Sequence, residues 1–292
     1  MPAAIDALEH AFREQDQGTA PLRGHIETPT GTLLTMPAAG DAGVGVKLVT
    51  LTPANPARDV PFLHATYVLF DPVMQAPEAV IDGAAMTALR TAAVSGVATR
   101  HLARPDAHRL VIFGAGAQAR SHLDAMRAVR PVDEVVVVSR SPDRAEALVA
   151  RARAEGVEAR PGTPDAVSTA DLVCTCTTSP TPLFDGALLP PGVHVNAVGA
   201  YTPETREVDS ETVRRARVVV ERRDVALAEA GDLLIPIAEG AVTASHILAD
   251  LSEVVRDDRA VRGSLEDLTL FESVGMAFED LVVARAAMEA LG

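Results

Sequence analysis

The sequence predicts an α/β protein in which a domain built on a parallel sheet is inserted into a β-rich domain. From residue 109 onward, valine-rich runs alternate with helical segments, which is typical of βαβ units whose parallel strands are buried on both faces. Before that point, three strand-like runs are separated by turns rich in Pro, Gly and Asp. A helical tail completes the β-rich domain. We place that domain at 1–98 and 269–292, and the inserted domain at 99–268.

The N-terminal region contains two predicted helices and three predicted strands. Ile5, Leu8 and Phe12 recur at helical spacing and predict an amphipathic helix over residues 4–16. Small residues fill a second predicted helix over 82–103, so that another backbone or a ligand could approach it closely. The predicted strands are 31–36, 44–51 and 65–70.

Strands and helices then alternate through the inserted domain. The predicted strands cover 109–113, 134–140, 171–178, 193–200 and 217–223. The predicted helices cover 121–130, 142–156 and 243–262, and a last helix covers 271–291. The continuous apolar runs in these strands fit a sheet that is covered on both faces.

The composition excludes several classes of protein. A formal net charge of −14 is unfavourable for binding a nucleic-acid backbone. No apolar stretch reaches the roughly 20 residues that a membrane span requires. The first residues include acids and lack the apolar run of a signal peptide, so we expect a cytoplasmic protein. Cys174 and Cys176 alternate within one apolar strand, which excludes a disulfide framework, and no histidine pair has metal-ligand spacing.

A G-x-G-x-x-A motif follows the first predicted strand of the inserted domain and precedes a predicted helix. Gly114 permits the tight turn, Gly116 lets the backbone approach a pyrophosphate, and Ala119 permits close packing of the helix on the strand. The helix N-terminus at Ala117 and Gln118 supplies N–H groups for the phosphates. In this context the motif predicts a Rossmann dinucleotide-binding domain.

The residues after the second strand of the inserted domain predict the type of dinucleotide. An enzyme that uses NAD usually has Asp or Glu here, which binds the ribose 2′-hydroxyl. This chain has Ser139 and Arg140, whose hydroxyl and guanidinium suit a 2′-phosphate. We therefore predict NADP(H) in preference to NAD(H). The alternative is a solvated Arg140, with Asp143 contacting the ribose.

Lys47 is the only lysine among the 26 basic residues, and it lies in an otherwise apolar strand. Lysine can release its proton when it is buried, whereas arginine keeps its proton. Lys47 is therefore a candidate proton donor. The alternatives are chance retention and a side chain that reaches solvent from a sheet edge.

Several segments together resemble the ornithine cyclodeaminase/μ-crystallin family. They are 45–50 with Asn55, 82–93, 114–119, 271–280, and 195–199 with Pro203, Arg206 and Glu207. The resemblance spans nearly the whole chain. It implies homodimers that pair through their β-rich domains, and a hydride transferred between a nicotinamide and the α-carbon of an imino or amino acid.

The resemblance also implies the substrate site. Arg23, Lys47 and Arg90 would line it, and the arginines would bind the carboxylate of an α-imino acid. Lys47 would exchange a proton with the substrate nitrogen, and its pKa is expected to fall beside the two arginines.

Further residues of the cofactor site follow from the strand ends and from the family segment near the C-terminus. Thr175, Thr177 and Val198 are expected beside the cofactor at the ends of two strands. Ser273 and Val274, at the start of the last predicted helix, resemble the segment that closes over the nicotinamide. Asp232 is either a polar group of the same site or a helix cap at the surface.

Tyr201 is the main departure from the cyclodeaminases of the family. They carry an aspartate at this position of the substrate site, which promotes ring closure, so Tyr201 disfavours ring-forming deamination. The resemblance therefore favours NADPH-dependent reduction of Δ1-pyrroline-2-carboxylate or Δ1-piperideine-2-carboxylate to proline or pipecolate. The alternatives are an NAD-dependent ornithine cyclodeaminase, an amino-acid dehydrogenase such as alanine dehydrogenase, and a non-catalytic NADP-binding protein.

Overall fold

The structure is a computed structural model that describes residues 1–14 and 18–291, and it confirms the predicted α/β fold class. The chain divides into two units. The antiparallel unit comprises Ala3–Arg90 and Met276–Gly292, and the parallel unit comprises Met1–Pro2 and Thr91–Gly275. The boundaries predicted after residues 98 and 268 both fall inside the parallel unit.

The helices and the strands are numbered separately, each in the order of the chain. The helices are α1 (Pro2–Arg13), α2 (Gly83–Leu102), α3 (Ala117–Val129), α4 (Pro142–Ala154), α5 (Ser210–Arg215), α6 (Arg223–Glu229), α7 (Gly231–Ala238), α8 (Leu251–Arg256) and α9 (Ala277–Glu289). The strands are β1 (Gly24–Thr28), β2 (Gly31–Gly40), β3 (Gly43–Leu51), β4 (Leu63–Phe70), β5 (Pro77–Asp82), β6 (Arg109–Phe113), β7 (Glu134–Val138), β8 (Glu158–Pro161), β9 (Leu172–Thr175), β10 (His194–Ala197), β11 (Arg217–Val220), β12 (Ile247–Asp250) and β13 (Thr269–Glu272).

The antiparallel unit is built on a five-stranded sheet in the order β1-β2-β3-β4-β5. Every second residue of β3 is buried, because successive side chains of a strand point to opposite faces. The buried face packs against α9, and the rings of Phe12 and Phe278 join α1 to α9 at 5.8 Å. The sequence did not reveal β1 and β5, because their largely exposed residues show no apolar alternation.

The parallel unit is built on an eight-stranded sheet in the order β12-β11-β13-β10-β9-β6-β7-β8. All neighbouring strands are parallel. From β6 the chain proceeds to β7 and β8 on one side and then returns to β9 on the other. Ligands of such sheets bind beyond the carboxyl ends of the strands where the order reverses, and the glycine motif follows β6 at this point.

The helix predicted over 243–262 is wrong. Ile247–Asp250 forms β12, which pairs with β11, and α8 covers only Leu251–Arg256. Asp250 and Glu253 form a capping box that begins α8. An apolar run this short fits a strand or a helix, and here pairing with β11 decides between them.

The helix predicted over 271–291 is wrong at its start. Thr269–Glu272 forms β13, which is fully buried between β11 and β10, and α9 begins only at Ala277. Gly275 has a φ of +83°, a left-handed conformation that separates the strand from the helix. Ser273 and Val274 therefore lie in a loop and do not open the last helix.

The remaining differences concern boundaries, one short strand, and the short helices α5, α6 and α7, which the sequence did not predict. The predicted helical positions 15 and 16 lie outside the described residues. The helix predicted from residue 121 begins at Ala117, because it follows directly from the glycine motif. β8 lies in a stretch predicted as a connection, and only one of its residues is buried, which leaves no apolar pattern.

In the described part of the chain, none of the helices combines the length and the apolar character that crossing a membrane requires. The same residues contain no group of three His, Cys, Asp or Glu side chains that could hold a metal ion. Cys174 is buried, Cys176 is half-buried, and both are free thiols.

Candidate active site

Lys47 lies on the buried face of β3 and forms an ion pair with α9. Its side chain is 1% exposed, and its Nζ lies 2.8 Å from each carboxylate oxygen of Asp280. Glu279 and Asp280 stand in the first turn of α9, where the positive end of the helix dipole stabilises acidic side chains. The lysine is therefore a fixed, buried group and does not extend into solvent from a sheet edge.

Arg90 joins the same cluster from α2. Its Nη1 donates to Glu279 Oε2 at 2.9 Å, and its Nε lies 3.4 Å from Asp280 Oδ1. Asp280 thus contacts both Lys47 and Arg90. Charges buried to this degree are costly unless they are paired, and these pairs fix the orientation of both cations.

Burial lowers the pKa of Lys47 from the ordinary lysine value to about 8. The carboxylate of Asp280 opposes this effect, whereas the positive charges of Arg90 and Arg23 lower the pKa further. Lys47 therefore exchanges its proton close to neutral pH. The predicted fall in its pKa is found in the structure, and Arg23 lies near enough to contribute to it.

Tyr67 was not identified from the sequence, and it lies directly across the sheet from Lys47. Its side chain is fully buried, and a Cβ atom added at Gly45 would collide with its hydroxyl. Glycine at position 45 therefore provides the space for this ring. Burial and the neighbouring Asp280 raise the pKa of Tyr67, so its hydroxyl keeps its proton.

The parallel unit contains a cavity of about 640 Å³ at the carboxyl ends of its strands. Of the predicted cofactor residues, Gly114, Gly116, Ser139, Arg140 and Thr177 line it. Ala117, Gln118, Ala119, Thr175, Val198, Ser273 and Val274 lie outside its lining. Ala119 is fully buried, consistent with close packing of α3 on the sheet, and Thr175 is buried within β9.

The glycine motif forms one wall of this cavity. Gly114 has a φ of +103°, and a Cβ there would lie 2.6 Å from the carbonyl oxygen of Cys176. Both facts require glycine at this position. At Gly116 an added Cβ would meet no atom within 4 Å, so the backbone faces open space. The residues present therefore fit a pyrophosphate that approaches the N-terminus of α3.

Two arginines stand at the other side of the cavity. Arg140 follows β7 and Arg144 lies in the first turns of α4, and both line the cavity together with Ser139. Both arginines are exposed, and within the described residues neither forms an ion pair. The sequence analysis missed Arg144. Its position only four residues after Arg140, in the segment that follows β7, was the signal that could have revealed it.

Two other predicted site residues belong to the parallel unit. Tyr201 is half-buried in the loop after β10. Asp232 is fully buried at the start of α7, where Oδ1 accepts the backbone N–H groups of Glu207 and Val208 at 2.7 and 2.8 Å. Burial and the nearby Glu207 raise the pKa of Asp232 to about 8. A surface cap, one of the two predicted roles of Asp232, is therefore wrong.

Glu279 and Asp280 are the two members of this buried cluster that the sequence analysis missed. Asp280 is separated from Lys47 by 233 residues, and no local pattern links the two. The available signal was the composition of α9. Its first eight residues are all buried, and the two acids are the only charged residues among them.

Comparisons with known proteins identify the family of this chain. A model of the ornithine cyclodeaminase/mu-crystallin family matches residues 1–291. A Delta(1)-pyrroline-2-carboxylate reductase from Bacillus cereus is 36% identical over 304 residues, covering 99% of this chain and 92% of the relative.

Two solved structures are similar over nearly their whole length. The Thermococcus litoralis Delta(1)-pyrroline-2-carboxylate reductase in complex with NADH and L-proline has a TM-score of 0.93 and 36% identity, covering 99% of this chain and 92% of that chain. An archaeal alanine dehydrogenase dimer with bound NAD has a TM-score of 0.92 and 30% identity, covering 98% and 90%.

Proposed function

Because this chain belongs to the ornithine cyclodeaminase/mu-crystallin family, we propose that it is an NADPH-dependent reductase of cyclic α-imino acids. The natural substrates would be Δ1-pyrroline-2-carboxylate and Δ1-piperideine-2-carboxylate, which give proline and pipecolate. The proposal assigns substrate binding and dimerisation to the antiparallel unit and dinucleotide binding to the parallel unit. Cytoplasmic location stays a prediction.

The observation that carries this proposal is the buried Lys47, held by Asp280 beside Arg90, with a pKa of about 8. Reduction of a C=N bond requires a hydride on carbon and a proton on nitrogen. A bound reduced nicotinamide supplies the hydride. Arg90 and Arg23 bind the substrate carboxylate, and Lys47 donates the proton from its ammonium group to the nitrogen.

Tyr201 supports reduction in preference to ring-forming deamination. Deamination needs a base that activates an amine and assists the loss of ammonia, and a tyrosine hydroxyl is a poor base at neutral pH. Similarity to the archaeal alanine dehydrogenase makes reductive amination of a keto acid the second candidate. An assay without ammonia distinguishes imine reduction from reductive amination, because only reductive amination requires ammonia.

The proposed preference for NADPH over NADH is argued from residues of this chain. Ser139, Arg140 and Arg144 present a hydroxyl and two guanidinium groups to one side of the cavity, and together they would bind a 2′-phosphate. The similar structures were solved with NADH or NAD, so the relatives do not supply this argument.

The proposed function is tested by following oxidation of NADPH and NADH with Δ1-pyrroline-2-carboxylate and with its six-membered homologue. We expect turnover with both imines in the absence of ammonia, and faster turnover with NADPH. One methylene of a substrate changes the free energy of its binding by only about 1–3 kcal/mol, so both ring sizes should react. Turnover that requires a keto acid and ammonia would replace the proposal with an amino-acid dehydrogenase.

The proposed homodimer rests on the open face of the antiparallel sheet. Val46, Val68 and Val80 lie side by side on three neighbouring strands, on the face opposite Lys47, and Leu48 lies next to them. Val80 is 74% exposed and Leu48 is 40% exposed. A continuous apolar surface of this kind is typical of a protein interface. A second copy of the chain would cover it.

Val80→Glu is expected to convert the dimer into a monomer, because it places a charge at the most exposed residue of that surface. Light scattering during size-exclusion chromatography measures the mass. Val73→Glu is the matched control, since Val73 is 87% exposed in the turn between β4 and β5. The control should remain dimeric. A monomeric native protein, or an unchanged mass for Val80→Glu, would contradict this interface.

A further inference from the structure

Glu207 is a buried carboxylate that forms hydrogen bonds with a residue lining the dinucleotide cavity. The proposed mechanism gives Glu207 no role. Its side chain has no exposed surface. Oε1 accepts both the backbone N–H of Thr177, at 2.7 Å, and the hydroxyl of Thr177, at 2.5 Å. Oε2 accepts the backbone N–H of Gly199 at 2.7 Å. All three partners donate, so both oxygens serve only as acceptors.

These partners belong to two separate loops. Thr177 follows β9 and Gly199 follows β10, which are adjacent strands of the parallel sheet. A Cβ added at Gly199 would collide with Glu207 Oε2 and with the carbonyl oxygen of Thr177. The loops are therefore in direct contact at this point, and the carboxylate of Glu207 joins them.

The backbone of Glu207 makes a third connection to the same wall. Its carbonyl oxygen accepts the N–H of Leu183 at 2.9 Å, and its N–H donates to Asp232 Oδ1 at 2.7 Å. Thr177 and Leu183 both line the cavity. Asp232 thus fixes Glu207 in place, and Glu207 in turn fixes two residues of the cavity wall.

We infer that Glu207 is a positioning residue for dinucleotide binding, which holds the loops after β9 and β10 in the shape that receives the cofactor. This inference rests on the proposed function for its ligand. The burial of Glu207 raises its pKa, and the hydrogen bonds that its carboxylate accepts oppose that effect. Losing one acceptor leaves a buried donor unpaired, so the loops must rearrange.

Glu207→Gln tests this inference. The amide keeps the size of the side chain but turns an NH2 group toward either Thr177 or Gly199, where two donors then face each other. We expect the Kd for NADPH, measured by direct titration, to rise about tenfold or more, as one unpaired buried donor implies. The pH dependence of turnover, which reports on Lys47, should stay unchanged.

Asp209→Asn is the matched control. Asp209 lies two residues further along the same loop, and it accepts the backbone N–H groups of Gly186 and Thr212 at 2.9 and 2.8 Å. It begins α5, and within the described part of the chain its hydrogen bonds reach none of the residues that line the cavity. Its loss should lower the melting temperature and leave the Kd for NADPH unchanged.

The outcomes separate this inference from the proposed function. A folded Glu207→Gln variant with the native Kd would overturn the positioning role. If that variant does not fold, Thr177→Val removes one donor and keeps the side-chain shape, and an unchanged Kd for it would have the same meaning. Native protein that binds neither NADPH nor NADH would instead refute the proposed function, and the positioning role with it.

Discussion

Lys47→Arg is expected to lower kcat for imine reduction by about 10²–10⁴-fold, the range typical of a lost general acid. Arginine keeps the positive charge beside Asp280, but it holds its proton at all pH values at which proteins are folded. The carboxylate of the substrate would still meet a cation, so the loss should appear mainly in kcat. Steady-state rates with NADPH measure this change, and an unchanged Kd for NADPH serves as the control.

The pH dependence of turnover tests whether Lys47 is the proton donor. Lys47 carries its proton below its pKa of about 8, so kcat/KM of the native protein should fall as the pH rises through that value. Asp280→Asn removes the carboxylate that raises this pKa, and it should move the fall in kcat/KM to lower pH. If the Lys47→Arg variant turned over close to the native rate, the role of Lys47 would be purely electrostatic.

The roles of the glycine motif and of Lys47 could be predicted from the sequence, because each has a signal in its neighbouring residues. Gly114 and Gly116 stand between a strand and a helix, a context that gives a spacing motif its meaning. Lys47 is the only lysine and lies within an apolar strand, so its burial could be expected. In both cases a few neighbouring residues determine the physical environment.

The partners of these residues could not be predicted in the same way. Asp280 meets Lys47 only because α9 packs on the sheet, and Glu207 meets Thr177 only because β9 and β10 are neighbours. The same reason explains the error at β13. Its four residues are a strand because β10 and β11 supply hydrogen-bond partners on both sides, and periodicity within four residues cannot show this.

Arg140→Ala is expected to weaken NADPH binding by about 10- to 100-fold, the loss that corresponds to one charge-assisted contact. Arg140 lines the cavity, is exposed, and has no ion pair within the described residues, so its guanidinium is available to a phosphate. NADH has no 2′-phosphate, and its Kd should barely change. Titration of both dinucleotides with both proteins gives the ratio directly.

Arg144→Ala should also weaken NADPH binding, because Arg144 lines the same side of the cavity. Arg58→Ala is the control for the loss of one positive charge, since Arg58 is exposed and does not line this cavity. If Arg140→Ala weakened NADPH and NADH equally, the guanidinium would bind the pyrophosphate that both share. If neither variant changed NADPH binding, both arginines would be solvated, and the 2′-phosphate would have no cationic partner on this side of the cavity.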